Sequence, residues 1–139
     1  SDMNLVSGTA AFEAKEFAQA WRLLRPFAEY GDAQAQHRVA IMCQNGLGMA
    51  PNPLMAYKWM RAAAEQGYAM AEHGLGFMYL YGECTEKNEK EAAKWFQHAA
   101  EHGLVGSAMT LGMMYEQGLG VEKNEAEAKK WYGRAELKA

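Results

Sequence analysis

Leu75-Gly76-Phe77-Met78-Tyr79-Leu80-Tyr81-Gly82 returns 36 residues further on as Leu111-Gly112-Met113-Met114-Tyr115-Glu116-Gln117-Gly118. The same shift aligns Gly31, Gly67 and Gly103; Met42, Met78 and Met114; Gly46, Gly82 and Gly118; and Asn52, Asn88 and Asn124. It also aligns Ala56, Ala92 and Ala128; Lys58, Lys94 and Lys130; Trp59, Trp95 and Trp131; and Ala63, Ala99 and Ala135. Unrelated segments would share about one such column at most, so a unit repeated without insertion from Gly31 to Lys138 decides the fold.

Each unit reads as two helices. Ala71, Leu75, Met78 and Tyr79 recur at three- and four-residue steps, the stripe of one buried helical face, which predicts a helix A from about Ala69 to Tyr81. Gly82 closes it, because glycine enters the left-handed conformation of a helix C-terminus without steric cost. Asn88 is a good N-cap with Glu91 three residues on, a capping-box spacing that Asn124 and Glu127 repeat. Asn52 is followed instead by Pro53, whose missing N–H is harmless at the first helical position. Helix B then runs through Ala92, Trp95, Phe96 and Ala99 to Gly103, small residues allowing close approach and the rings filling the space.

Ala20, Leu24 and Ala28 fall 36 residues before Ala56, Met60 and Ala64, so a helix B also precedes the first full copy. Its helix A is expected from about Asn4 to Ala14, with Phe12 and Phe17 near the turn. The expected organisation is one all-α domain: a degenerate hairpin over 4–30, then repeats over 31–66, 67–102 and 103–138. Terminal units of solenoids depart from consensus because one face meets water.

Leu75-Gly76-Phe77-Met78-Tyr79, Gly82, Ala92, Trp95 and Ala99-Ala100-Glu101-His102-Gly103 together resemble the Sel-one-like repeat, a relative of the tetratricopeptide repeat. Leu111-Gly112-Met113-Met114-Tyr115 with Gly118-Leu119-Gly120-Val121 is more similar still. The resemblance covers nearly the whole chain. It implies a right-handed α-solenoid of antiparallel helix pairs that acts as a protein-binding adaptor, helix A lining the concave side. The first copy departs from it with Val39-Ala40 for Leu-Gly and Cys43 for the tyrosine, and Cys84 replaces the second loop glycine of the second copy. The regularly paired cysteines of the family's secreted, cysteine-rich branch are missing.

Composition narrows the function classes. A formal charge of -3 and a pI near 5.8 provide no positive field for a phosphate backbone, which argues against a nucleic-acid partner. No stretch reaches the roughly 18–20 apolar residues of a spanning helix, so membrane insertion is not expected. The opening Ser1-Asp2-Met3-Asn4-Leu5 lacks the regions of a secretory signal; the expectation is that none was present or that one was removed. The compartment stays open between the cytoplasm and, after such removal, the periplasm or exterior. Cys43 and Cys84 form no metal-ligand spacing and are expected as a buried thiol and a loop thiol.

The positions between the core residues of helix A are where a partner is expected. They are Met70, His73, Phe77, Leu80 and Tyr81 in the second copy. Their equivalents are Gln34, His37, Ile41, Gln44 and Asn45 in the first, and Gly106, Met109, Met113, Glu116 and Gln117 in the third. Methionines make adaptable contacts and aromatics give large area at low entropy cost, which suits an apolar peptide or helix. The same side chains would equally serve to pack neighbouring helices together. Helix A of the second and third copies has no Lys or Arg and the first has only Arg38, which disfavours a carboxylate clamp.

The charge run Glu86-Lys87-Asn88-Glu89-Lys90-Glu91 reads as a solvated outer face, with Lys58, Lys94 and Lys130 covering the edges of adjacent tryptophans. His98 and His102, one helical turn apart, have the only metal-like spacing, and no third ligand accompanies them. No nucleophile elbow, phosphate loop or dinucleotide fingerprint is present, so neither enzyme activity nor a cofactor is expected. A second function class is a homodimer or larger self-assembly through the last helix, where Trp131 and Tyr132 are expected to leave an uncovered side.

Overall fold

The computed structural model describes residues 2–138. Among the described residues there are eight helices and no strand: α1 (Met3–Glu13), α2 (Phe17–Tyr30), α3 (Ala33–Asn45), α4 (Pro53–Glu65), α5 (Ala69–Tyr81), α6 (Glu89–Glu101), α7 (Val105–Gln117) and α8 (Glu125–Lys138). They fall into two compact units, one ending at Tyr68 and the other beginning at Ala69. Each holds two helical hairpins, with α2 packed on α3 in the first and α6 on α7 in the second.

The asparagine caps form as their spacing predicts. Asn52, Asn88 and Asn124 accept the backbone N–H of Met55, Glu91 and Glu127 at 3.1, 3.1 and 3.0 Å. The reciprocal half of the capping box does not form. The N–H groups of these asparagines go instead to the carbonyls of Cys43, Tyr79 and Tyr115 in helix A, at 2.8, 2.8 and 2.9 Å. Each loop is thereby sewn back onto the helix it leaves. Glu91 and Glu127 remain favourable as first-turn acids beside the positive helix end.

In each unit the core is a seam of small and large side chains. The first buries Ala20, Leu24, Ala28, Val39, Met42 and Ala56; the second buries Leu75, Met78, Phe96, Ala99, Leu111 and Met114. Glycines at the second position of the Leu-Gly pair make room for an aromatic on the partner helix. A Cβ on Gly76 would meet the Phe96 ring at 2.8 Å, and one on Gly112 would meet Tyr132 at 2.7 Å. The residue twenty positions after Ala40 is Met60, an unbranched chain that can yield to a methyl group, which accounts for Ala40 in the first copy.

Gly8 contacts Leu24, sixteen positions on rather than twenty. The α1–α2 loop spans 14–16, four residues fewer than 46–52 and the equivalent later loops, and that shortening equals the offset. The first hairpin is degenerate in its loop while its helix pairing follows the others.

Cys84 sits in the α5–α6 loop at φ 66, a left-handed conformation that its equivalents meet with Gly48 and Gly120. An L-residue there costs about 1–2 kcal/mol, part of which glycine gives back as lost chain freedom, roughly 0.5–1 kcal/mol. Cys84→Gly is therefore expected to stabilise the protein by about 0.5–1 kcal/mol. Urea unfolding followed by circular dichroism reads this directly, and a loss of stability would mean that the thiol makes contacts that outweigh the strain.

Candidate partner-binding site

The exposed face of α5 is a run of four side chains at helical spacing. Met70 is 46% exposed and Tyr81 69%, while His73 and Phe77 between them are half-buried. The Tyr81 ring stacks on Phe77 at 5.7 Å with planes 16° apart. Phe77 in turn meets the edges of His73 and of buried Phe96, each at 4.9 Å. The run is thus fastened to the core at its centre and open at both ends.

His73 is less free than its spacing predicts. Its Nδ1 lies 2.6 Å from the hydroxyl of fully buried Ser107 on α7, and its ring abuts Phe96. Burial lowers its pKa, so it is a neutral joint between α5 and α7. Leu80 departs from the expectation altogether. At 4% exposure it belongs to the core, because it lies one turn after Gly76 and two after Glu72, on a buried edge of the helix, whereas Met70, Phe77 and Tyr81 share the open side.

On α7, Met113 is half-buried at the position equivalent to Phe77. Met109, 52% exposed, opens onto a recess of about 320 Å³ shared with Val105, Tyr132, Ala135 and Glu136. Among the residues of α5 and α7 there is no Lys or Arg. In the first unit Ile41 and His37 are both half-buried, and the His37 ring rests edge-on against Tyr68 at 5.4 Å.

Burial, reinforced by the Arg38 charge, lowers the pKa of His37 to about 4. The unfolded chain takes up this proton near pH 6.5 and the native protein does not. The contribution is whole above pH 6.5 and is lost as pH falls toward 4, about 3 kcal/mol at most. A series of urea midpoints over that window should slope downward with falling pH, and His37→Phe, which keeps the ring contact, should flatten much of the slope. An unchanged slope would place the acid sensitivity elsewhere.

Two buried polar pairs have no counterpart in the sequence expectations. Glu72, 3% exposed, holds the Nδ1 of His102 at 2.7 Å, and Gln36 accepts from Gln66 at 2.9 Å. Both pairs join positions thirty residues apart, an acid–imidazole pair in one copy and an amide pair in the other. The signal was there as a matched change of both partners. His102 is thus engaged by a carboxylate, and among the described residues no group of three or more His, Cys, Asp or Glu is placed to hold a metal.

The outer face is as expected. Lys58, Lys94 and Lys130 lie over the rings of Trp59, Trp95 and Trp131 at 4.9, 5.7 and 5.2 Å. Trp131 corrects the expectation of an uncovered side: it is 2% exposed, and Tyr132 lies against Gly112. Cys43 is a buried free thiol and Cys84 a half-buried one. A recess of about 540 Å³ lies on α4 alone around Leu54, Tyr57, Arg61 and Glu65. Its lining comes from one helix, so it brings no groups together from separate elements.

The sequence pattern of the Sel1 repeat matches residues 33–68, 69–104 and 107–138. The chain belongs to the Sel1 repeat family. A Sel1 repeat protein from Oxalobacter formigenes is 34% identical, with a TM-score of 0.93 over all of this chain and 55% of that one. A protective antigen of uropathogenic Escherichia coli strains, c5321, which displays an SLR fold, is 33% identical, with a TM-score of 0.91 over 96% of this chain and 30% of that one. The chain therefore spans about half the length of the first and less than a third of the second. Cysteine rich protein B of Helicobacter pylori shares the fold at 18% identity, with a TM-score of 0.71 over 88% of this chain and 90% of that one. A search of the curated proteins gives no match. The fold class is the α-solenoid of helix pairs, and Sel1 repeats serve in general as non-catalytic scaffolds for protein interaction.

Proposed function

We propose that this Sel1 repeat chain is a non-catalytic adaptor that receives an apolar peptide or helix of a partner protein on the helix A face of α5 and α7. The observation that carries the reading is the run Met70–Phe77–Tyr81, open at both ends and anchored at its centre on Phe96. A ladder held rigid by the core loses little entropy on binding, and its exposed rings and thioether supply contact area. Met113 continues the face on α7, and Ile41 occupies the equivalent position in the first unit. His73 and Met109 border this surface rather than form its centre, and His37 stands in the first unit at the position equivalent to His73.

Phe77 is a poor probe, since a charge there would disturb Phe96. Met70 and Tyr81 are better, being largely exposed. The double variant Met70→Glu/Tyr81→Glu is expected to lose partner capture by at least about tenfold, while its helical signal and unfolding midpoint stay near those of the parent. Undiminished capture would overturn the assignment of this face.

A second reading, self-association through α8, is supported by the apolar recess of Val105, Met109, Tyr132 and Ala135 and by Leu137, 89% exposed. Sedimentation at several concentrations tests it, a strict monomer ruling it out.

A further inference from the structure

The charge of the chain is unevenly placed. Residues up to Tyr68 carry six carboxylates and six Lys or Arg, whereas those from Ala69 onward carry eleven and eight. The whole net charge of -3 thus belongs to the second unit. Within that unit α5 and α7 contain no cation, and the carboxylate of Glu72 is buried against His102. Exposed Glu83 and Glu116 stand at the C-terminal ends of these two helices, beside Tyr81 and Gln117. Helix carbonyls add partial negative charge at the same ends.

Tyr81 completes the picture. One face of its ring is stacked on Phe77, and at 69% exposure the other side is open to solvent. An open aromatic face attracts Lys or Arg, and does so more strongly where carboxylates are near; the neighbouring Lys87, packed beside Gly82, is itself paired with Glu89 at 3.8 Å.

We infer that the segment received on this face is amphipathic and basic, its apolar stripe lying over Met70, Phe77 and Met113 and a Lys or Arg lying over the free face of Tyr81. The inference rests on the adaptor reading above. An acidic segment would meet like charge at the ends of α5 and α7, and a neutral one would leave the Tyr81 face unused.

Three fluorescein-labelled helical peptides test it by fluorescence anisotropy with the full chain. They share one stripe of leucine and methionine and differ only in having lysine, glutamine or glutamate on the polar side. The lysine peptide is expected to bind about tenfold more tightly than the glutamate peptide, with glutamine between them, and added salt should narrow the gap. Tyr81→Leu keeps an apolar side chain but removes the ring; whatever contact area it costs all three peptides alike, it should reduce the advantage of lysine over glutamine by about two- to fivefold. Equal or tighter binding of the glutamate peptide overturns the inference. So does a lysine advantage that Tyr81→Leu leaves intact, since the cation then lies elsewhere. If the glutamine peptide binds and lysine brings no gain, only the inference falls; if none of the three binds, the adaptor reading falls with it.

Discussion

Phe96→Ala is expected to destabilise the protein by about 3–5 kcal/mol, the usual loss for a fully buried phenylalanine. The ring is wholly buried and fills the space that Gly76 leaves by having no side chain. It also carries Phe77 on one edge and His73 on another, so its removal opens a cavity under the proposed binding face as well as in the core. The surroundings cannot close in easily, because Leu75 and Met78 on the facing α5 are already buried in the core. Urea unfolding should show the midpoint falling with the helical signal intact beforehand. A loss below about 1 kcal/mol would contradict a rigidly packed seam.

Gly120→Ala is expected to cost about 3 kcal/mol or more, through two separate effects. The residue has φ 68, where an L side chain loses roughly 1–2 kcal/mol. A Cβ there would also overlap the Glu89 carbonyl at the start of α6, and backbone cannot step aside as a flexible side chain can. A Cβ on Gly48 would meet the Phe17 backbone at 2.6 Å in the same way, so the loop after helix A leans on the first turn of the preceding helix B in both units. Gly133 provides the contrast. It lies within α8 with nothing within 4 Å of its would-be Cβ, and Gly133→Ala should stabilise by up to about 1 kcal/mol. Thermal unfolding of the two variants side by side should move in opposite directions; similar small effects would mean that the loop is not held against α6.

Much of this architecture is legible in the sequence because repetition multiplies weak local signals. One asparagine ahead of a helical stripe is a modest hint, whereas three at a fixed 36-residue spacing place three helix starts, and all three cap as expected. The lysine–tryptophan neighbours and the extra helix B around Leu24 follow from the same register.

What the pattern does not convey is which way an element leans. Leu80 and Tyr81 are adjacent and both apolar, yet one is 4% exposed and the other 69%, because the rotation of α5 about its axis is fixed by Phe96 and Gly76 on opposing helices. Glu72 and His102 are thirty residues apart in sequence, so their bond depends on the α5–α6 pairing rather than on any local spacing. Asn88 has one backbone N–H and two acceptors within its reach on paper, the Glu91 carboxylate and the Tyr79 carbonyl; the loop geometry awards it to Tyr79. The Met70–Phe77–Tyr81 face was accordingly visible as a set of candidates, and only packing separates its open members from those absorbed into the core.

The ten methionines offer a direct view of that face. With 13C-labelled methionine methyl groups, the protein can be titrated with the glutamine-sided apolar peptide and followed by NMR. The signals of Met70 and Met113 should shift together, while those of Met42, Met78 and Met114, all at most 1% exposed, stay in place. Shifts confined to Met3, Met55 or Met60, with Met70 and Met113 unmoved, would contradict a binding face on α5 and α7.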